Sequence, residues 1–140
     1  MIKINVVVKD KTWLKFIKNP EIYLKRKLKK IQSDIFFEKK KYSFSISLSS
    51  GREIKYLNKK FRKINKDTDI LSFPNQTKKN LKILKKKNIE IYLGDIIINF
   101  KKMDISSKIQ FKKHFDMLWV HGLVHLFNYD HKKEIDYEIM

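Results

Sequence analysis

Tyr42, Phe44, Ile46 and Leu48 alternate with Ser43, Ser45, Ser47 and Ser49. A period of two turns one face of a strand to a core and the other toward water or a polar cover. Ile2 to Val8 is β-branched and apolar with polar interruptions, and predicts another strand. Between them, Pro20 suits a first helical turn, and Ile22, Leu24, Leu28, Ile31 and Ile35 recur at roughly helical spacing, predicting a helix up to Phe37 with a lysine-rich outer face. Ser50 followed by Glu53 has the pattern of a capping box, opening a helix whose stripe is Ile54, Leu57 and Phe61 and whose C-terminal end lies near Arg62.

Asp69 to Phe73 reads as a short strand stopped by Pro74, and the lysine-rich stretch from Asn75 to Asn88, weakly anchored by Leu81, Ile83 and Leu84, reads as a mobile surface loop. Ile89 to Phe100 is again β-rich, with Gly94 marking a bulge or turn. Ser106 or Ser107 caps a long helix through Phe127 that carries Phe111, Phe115, Leu118 and Leu126. Strands and helices alternate without repeat or linker. The expected fold is therefore mixed α/β, one domain over residues 1–140, with a small mixed sheet of about four strands packed with helices.

A chain of 140 residues buries roughly two-thirds of its unfolded surface, so one core is enough. Cysteine is absent, which excludes disulfides, thiolate nucleophiles and sulfur-ligated metals and leaves His, Asp and Glu as metal donors. There is no membrane-length apolar run and no secretory pattern at the start, so a cytoplasmic protein is expected. Net charge is +18, from 33 Lys and Arg against 15 Asp and Glu, which makes RNA the first partner to consider. Only Arg26, Arg52 and Arg62 are arginines, however, and an AT-rich codon bias accounts for so many lysines equally well. Charge alone does not decide the partner.

The chemistry gathers in one run, His121-Gly122-Leu123-Val124-His125-Leu126-Phe127-Asn128-Tyr129-Asp130-His131. Residues four apart on a helix differ by about 40° in direction and lie roughly 6 Å apart, so His121 and His125 can converge on one ion. A third ligand at 131 would have risen about 15 Å past 121 on a straight helix, so the helix must turn back, and Asn128 tolerates the left-handed geometry that ends helices. Three imidazoles with a fourth position left for water make a catalytic zinc arrangement, although imidazole also suits copper or nickel. The plain alternative is that the histidines are polar residues of an amphipathic helix and the surface. Three of them, with a helix-ending residue between the second and third, favour one Zn²⁺ per chain. His114, seven residues before His121, stands about 10 Å away along the helix and is left out of the ligand set.

The ligand spacing equals that of the metzincin peptidases, but their general-base Glu is Gly122 here, which argues against peptidase chemistry. With these residues in hand, the chain resembles the YbeY family of rRNA-maturation endoribonucleases, whose signature HGxLHLxGYDH stands here as HGLVHLFNYDH. Two further blocks resemble the family, LNKKFRKINKDTDILSFP at 57–74 and LGDIIINF at 93–100. The resemblance implies a zincin-like α/β fold and a metal-dependent single-strand endoribonuclease working on rRNA of the small ribosomal subunit, in 16S 3′-end processing and ribosome quality control. It implies His121, His125 and His131 as zinc ligands and Arg62 as the functionally important arginine, with Asp69, Ser72, Asp95 and Asp130 at motif positions of unassigned role. Asn128 replaces a family glycine, and few residues follow His131 to form the usual C-terminal helix.

A guanidinium can meet two phosphoryl oxygens at once, which makes Arg62, with His121, the candidate catalytic residue. Asp130 is either an acceptor orienting a ligand imidazole or a turn residue, and Asp69 and Asp95 are expected to bond backbone amides near the cleft. Trp119 and Tyr129 can stack on bases but are expected in the core. The competing reading is a non-catalytic basic ribosome-assembly or RNA-binding factor with a structural zinc.

Overall fold

In the computed structural model, which describes residues 2–34, 41–87 and 89–127, the alternating segments form strands as the pattern predicts. They are β1 (Ile2–Val8), β2 (Tyr42–Ser49), β3 (Ile70–Pro74) and β4 (Ile91–Asn99). The sheet runs in the order β1-β2-β4-β3, with β1, β2 and β4 parallel and β3 antiparallel to β4 at one edge. Pro74 belongs to β3 rather than stopping it, which an edge strand tolerates. The helices are α1 (Pro20–Asp34), α2 (Gly51–Arg62), α3 (Lys78–Leu84) and α4 (Lys108–Leu126). The α/β fold with a four-stranded mixed sheet is as expected.

One face of the sheet carries the main core. Tyr42, Phe44, Ile46 and Leu48 of β2 pack there with Leu24 and Leu28 of α1 and Phe111, Phe115 and Leu123 of α4. The other face carries a smaller cluster in which Ile54 of α2 meets Leu71 and Ile97. Gly94 switches the parity between the two. Ile91 and Leu93 face the main core before it and Ile96 and Ile98 after it, and the pairing with β2 shifts between Ser43 and Ser45. One extra residue in the strand thus keeps four apolar side chains on one face and turns Asp95 away. Gly94 has φ +140, and a Cβ there would lie 2.2 Å from the Phe73 carbonyl oxygen, so glycine is required.

Several expectations need correction. The Ser50–Glu53 capping box does not form: Ser50 makes no side-chain cap bond, and Glu53 instead accepts from Lys9 Nζ at 2.8 Å. Ile22 is exposed, and Tyr23 takes its place against the core. The expected loop at 75–88 contains α3, opened by Thr77, whose hydroxyl accepts the Asn80 N–H, and held by buried Leu81. A 3₁₀ turn at Lys11–Lys15 had no periodic signal, yet it buries Trp13, whose Nε1 donates to the Ser49 carbonyl. Of the two serines expected to cap α4, Ser107 does so, its hydroxyl accepting the Gln110 N–H. The part of the first helix expected beyond Asp34 lies outside the described residues.

Candidate functional site

The site lies where α4 crosses the β3 edge of the sheet. Helix α4 comes close because Gly122 is buried against the sheet; a Cβ there would stand 3.0 Å from Ile96 Cδ1 and 3.1 Å from Ile70 Cδ1. With Gly122, Leu118 and Leu126 turned inward, His121 and His125 fall on the flank of the helix, partly buried. The helix ends at Leu126, and Phe127, with ψ 2, leaves helical geometry immediately before Asn128. Asn128, Tyr129, Asp130 and His131 lie outside the described residues. Among the described residues no three His, Asp or Glu side chains gather in a way that could hold a metal. The described part of the proposed zinc site is two imidazoles one helical turn apart.

The facing wall comes from α2 and the turn that follows. Lys63 closes α2 in a left-handed conformation with φ 57, and its N–H donates to the Asn58 carbonyl, as does that of Ile64. The Asn58 side chain is buried and its Nδ2 donates to the Lys66 carbonyl at 2.9 Å, which folds the 63–66 turn back over the helix end. Its Oδ1 is buried without a hydrogen-bond partner among the described residues. Arg62 stands one turn beyond Asn58 on the same side of α2 and is exposed.

Asn99 at the end of β4 fixes the rest of the turn. Its Nδ2 donates to the Thr68 carbonyl at 3.0 Å and to Asp67 Oδ2 at 3.3 Å, and its Oδ1 accepts the Lys101 N–H. Partial burial pushes the Asp67 carboxyl up, but the Asn99 bond and the charges of Lys102 and Lys101 outweigh it and hold the group below its ordinary value. Asp67 also adjoins the first turn of α2, where a Cβ on Gly51 would lie 2.8 Å from Asp67 Oδ2.

These walls enclose a cleft of about 510 Å³ whose lining includes Asn58, Arg62, Asp69, Ser72, His121 and His125. Residues separated by about sixty positions in the chain, Arg62 and the two histidines, are thus brought to one cavity. Strand β3 forms its floor. Because Asp69 accepts from the Asn99 amide and Asn75 donates to Leu93, the odd positions of β3 bond to β4. In an antiparallel ladder the even ones, Ile70 and Ser72, then direct their amides and carbonyls toward the edge that pairs with no strand among the described residues.

Other sequence candidates separate clearly. Asp69 is on the cleft wall, but its carboxylate accepts from Thr68 Oγ1 at 3.4 Å rather than from a backbone amide. Asp95 is on the opposite face of the sheet, where it accepts from the Tyr92 hydroxyl, because the bulge at Gly94 turns it away from the core side. His114 Nδ1 accepts the Asp104 N–H at 3.0 Å, so it braces the loop before α4. Trp119 is fully buried and its Nε1 donates to Asp116, which also accepts from the Tyr23 hydroxyl and pairs with Lys27; it is core, as expected. Asn58 and Asn99 were not singled out from sequence, although Asn58 stands four residues before Arg62, a spacing that places both on one helical side.

The profile of the family described as Endoribonuclease YbeY matches residues 8–140. The chain belongs to the YbeY family. Among its relatives named Endoribonuclease YbeY, the protein of Pelagibacter ubique is 40% identical, the similarity spanning all of this chain and 90% of the relative. That of Ehrlichia canis is 32% identical, over the whole of this chain and 86% of the relative. That of Caldicellulosiruptor bescii is 36% identical over 76% of this chain and 71% of its own length. The YbeY match thus extends across both walls of the cleft, α2 with its following turn and α4 with its histidines.

Proposed function

We propose that this chain is a zinc-dependent endoribonuclease cutting single-stranded RNA in the cytoplasm, acting on rRNA of the small ribosomal subunit in 16S 3′-end maturation and ribosome quality control. Its membership of an endoribonuclease family supports the reaction class. The observation that carries the residue roles is that Arg62 of α2 and His121 and His125 of α4 line one cleft. One Zn²⁺ would be held by His121, His125 and His131; in a chain without cysteine, imidazoles presented one helical turn apart at a cavity are a suitable donor set. When bound, zinc supplies Lewis acidity toward a phosphate ester and makes water easier to deprotonate.

The rest of the chemistry falls to the chain itself. The scissile phosphate gains negative charge as the bond to the leaving oxygen breaks, and the planar guanidinium of Arg62 offers two parallel N–H donors to its non-bridging oxygens. Outward amides of Ile70 and Ser72 along the β3 edge orient the backbone of the strand being cut. A +18 chain draws the polyanion toward this cleft and weakens its grip as salt rises.

The edge of β3, unpaired among the described residues, also suits an extended peptide, which is the observation favouring the peptidase reading. Gly122 weighs against it. The position that would carry the peptidase glutamate is packed on Ile96 and Ile70, where even a Cβ would stand 3.0 Å and 3.1 Å from their Cδ1 atoms.

The deciding experiment combines metal analysis of the purified protein with incubation on a structured rRNA precursor, with and without chelator. About one zinc per chain, cleavage abolished by chelator, and His121→Ala and Arg62→Ala variants that still associate with ribosomes but no longer cut are expected. Cleavage that persists in chelator and in His121→Ala refutes the zinc mechanism. Equal loss of cutting and ribosome association in both variants assigns the chain to the assembly-factor class instead.

A further inference from the structure

Helix α2 separates two cavities. Asn58 and Arg62 turn toward the histidine cleft, whereas Tyr56, Leu57 and Phe61 line a second groove of about 630 Å³ on the outer face of the sheet. Phe73 of β3 lines both, so the two adjoin across this one shared side chain. The Phe61 ring meets that of Phe73 edge-on at 5.7 Å.

Tyr56 and Phe61 are 61% and 60% exposed, unusual for side chains whose large apolar surface is normally withdrawn from water. Lys60 stands between them, its Nζ 5.8 Å from the Tyr56 ring and 5.4 Å from that of Phe61. Aromatic faces beside an ammonium group form a platform for bases with a partner for the phosphate. The two carboxylates of the groove are engaged: Glu53 with Lys9, Asp95 with the Tyr92 hydroxyl. A second copy of the chain is a poor occupant because each carries +18.

We propose that this groove binds the single-stranded RNA that runs on from the cleft past Phe73, with its bases stacked on Tyr56 and Phe61. The proposal rests on reading the histidine cleft as an RNA site, and it extends that site to flanking nucleotides. Neither aromatic residue lines the cleft.

The test measures fluorescence anisotropy of the full chain with oligouridylates of about four and about twelve nucleotides, lengths that bracket a minimal and an extended single-strand site. Wild type should bind the longer strand more tightly. Tyr56→Ala/Phe61→Ala should lose about tenfold or more on the long strand and less than about twofold on the short one, the scale set by base–aromatic stacking. Tyr56→Phe/Phe61→Tyr should restore the difference. Lys60→Gln, which leaves both rings in place, should flatten the salt dependence of long-strand binding by about one phosphate contact. Unchanged melting temperatures verify the fold.

Equal affinity of wild type and the double alanine variant for the long strand overturns the proposal, as does equal loss on both strands. So does a wild-type dimer in sedimentation that the variant dissolves while RNA affinity stays put, or loss of an acidic protein ligand alone. Cleavage of the same strands keeps the two readings apart. A protein that cuts RNA with KM unaffected by the double variant retains its catalytic site and loses this groove; one that cuts nothing but shows the length-dependent loss keeps the groove and loses the catalytic reading.

Discussion

Gly122 meets Ile96 so closely that a Cβ on the glycine would stand 3.0 Å from the isoleucine Cδ1 and 3.2 Å from its Cγ1. The helix bearing His121 and His125 therefore lies on the sheet at a distance that only glycine permits without adjustment. Moving the helix outward by one methyl would move both imidazoles relative to Arg62. Gly122→Ala should cost about 1–3 kcal/mol by overpacking, read by chemical denaturation. If His121 and His125 hold zinc as proposed, it should also weaken zinc retention, and Gly122→Glu should fail to create peptidase activity. A Gly122→Glu protein that folds with wild-type stability would show that the helix can lift at no cost.

Arg62 calls for a different comparison. It is exposed, so substitution should leave stability within about 0.5 kcal/mol. If it meets developing charge on phosphate, Arg62→Ala should lower kcat on RNA by about 10²- to 10³-fold with a much smaller change in KM. Arg62→Lys should recover little, since an ammonium group cannot form the paired contact. A KM effect with kcat intact would reduce Arg62 to an electrostatic tether.

The elements most legible in the sequence were those whose signal is local and periodic. The serine alternation of β2 and the capped apolar run of α4 needed no tertiary information. Gly94 was legible as a break, and the parity switch from Leu93 to Ile96 explains why it is a bulge within one strand. The Ser50–Glu53 pattern misled because Lys9, distant in sequence, offers Glu53 a charged partner that the helix amides do not match. Helix α3 was missed because its two-turn stripe is short and its stability comes from burying Leu81 against the core. In the site, His121 and His125 stand out by residue type and spacing, and Arg62 by the family resemblance and by its rarity among the lysines. Asn58 and Asn99 do not, because a buried asparagine acquires its role from the carbonyls that the fold brings to it. Asn128 and His131, on which closure of the proposed metal site depends, lie outside the described residues.

The bulge makes a further prediction at the floor of the cleft. Gly94→Ala places a Cβ 2.2 Å from the Phe73 carbonyl and 3.0 Å from the Asn75 nitrogen at φ +140, combining backbone strain with a clash that no side chain can relieve. A loss of more than about 3 kcal/mol is expected, with early hydrogen exchange in β3. Because Phe73 borders the cleft, RNA cleavage should fall at temperatures where the remainder of the sheet is still protected. Wild-type exchange in β3 would mean that the strand pair tolerates the added carbon.

Acid stability should report on the turn that carries Thr68 and Asp69 into the cleft. Partial burial raises the Asp67 carboxyl, but the Asn99 hydrogen bond, with Lys102 Nζ at 3.8 Å and Lys101, lowers it further, leaving it below the ordinary 3.8. With the folded value depressed, the unfolded chain takes up the proton first as the pH falls. The contribution is therefore present above 3.8 and is lost as the pH drops through the folded value. Asp67→Asn should melt at a lower temperature than wild type at neutral pH and should lose less on acidification, so the two curves converge at the acid end. Asp10 and Asp104, whose carboxyls are also lowered by side-chain hydrogen bonds from Thr12 and Ser106, titrate alike in both proteins and cancel in the difference. Curves that stay parallel below pH 3.8 would show that Asp67 holds the turn by hydrogen-bond geometry alone, without its charge.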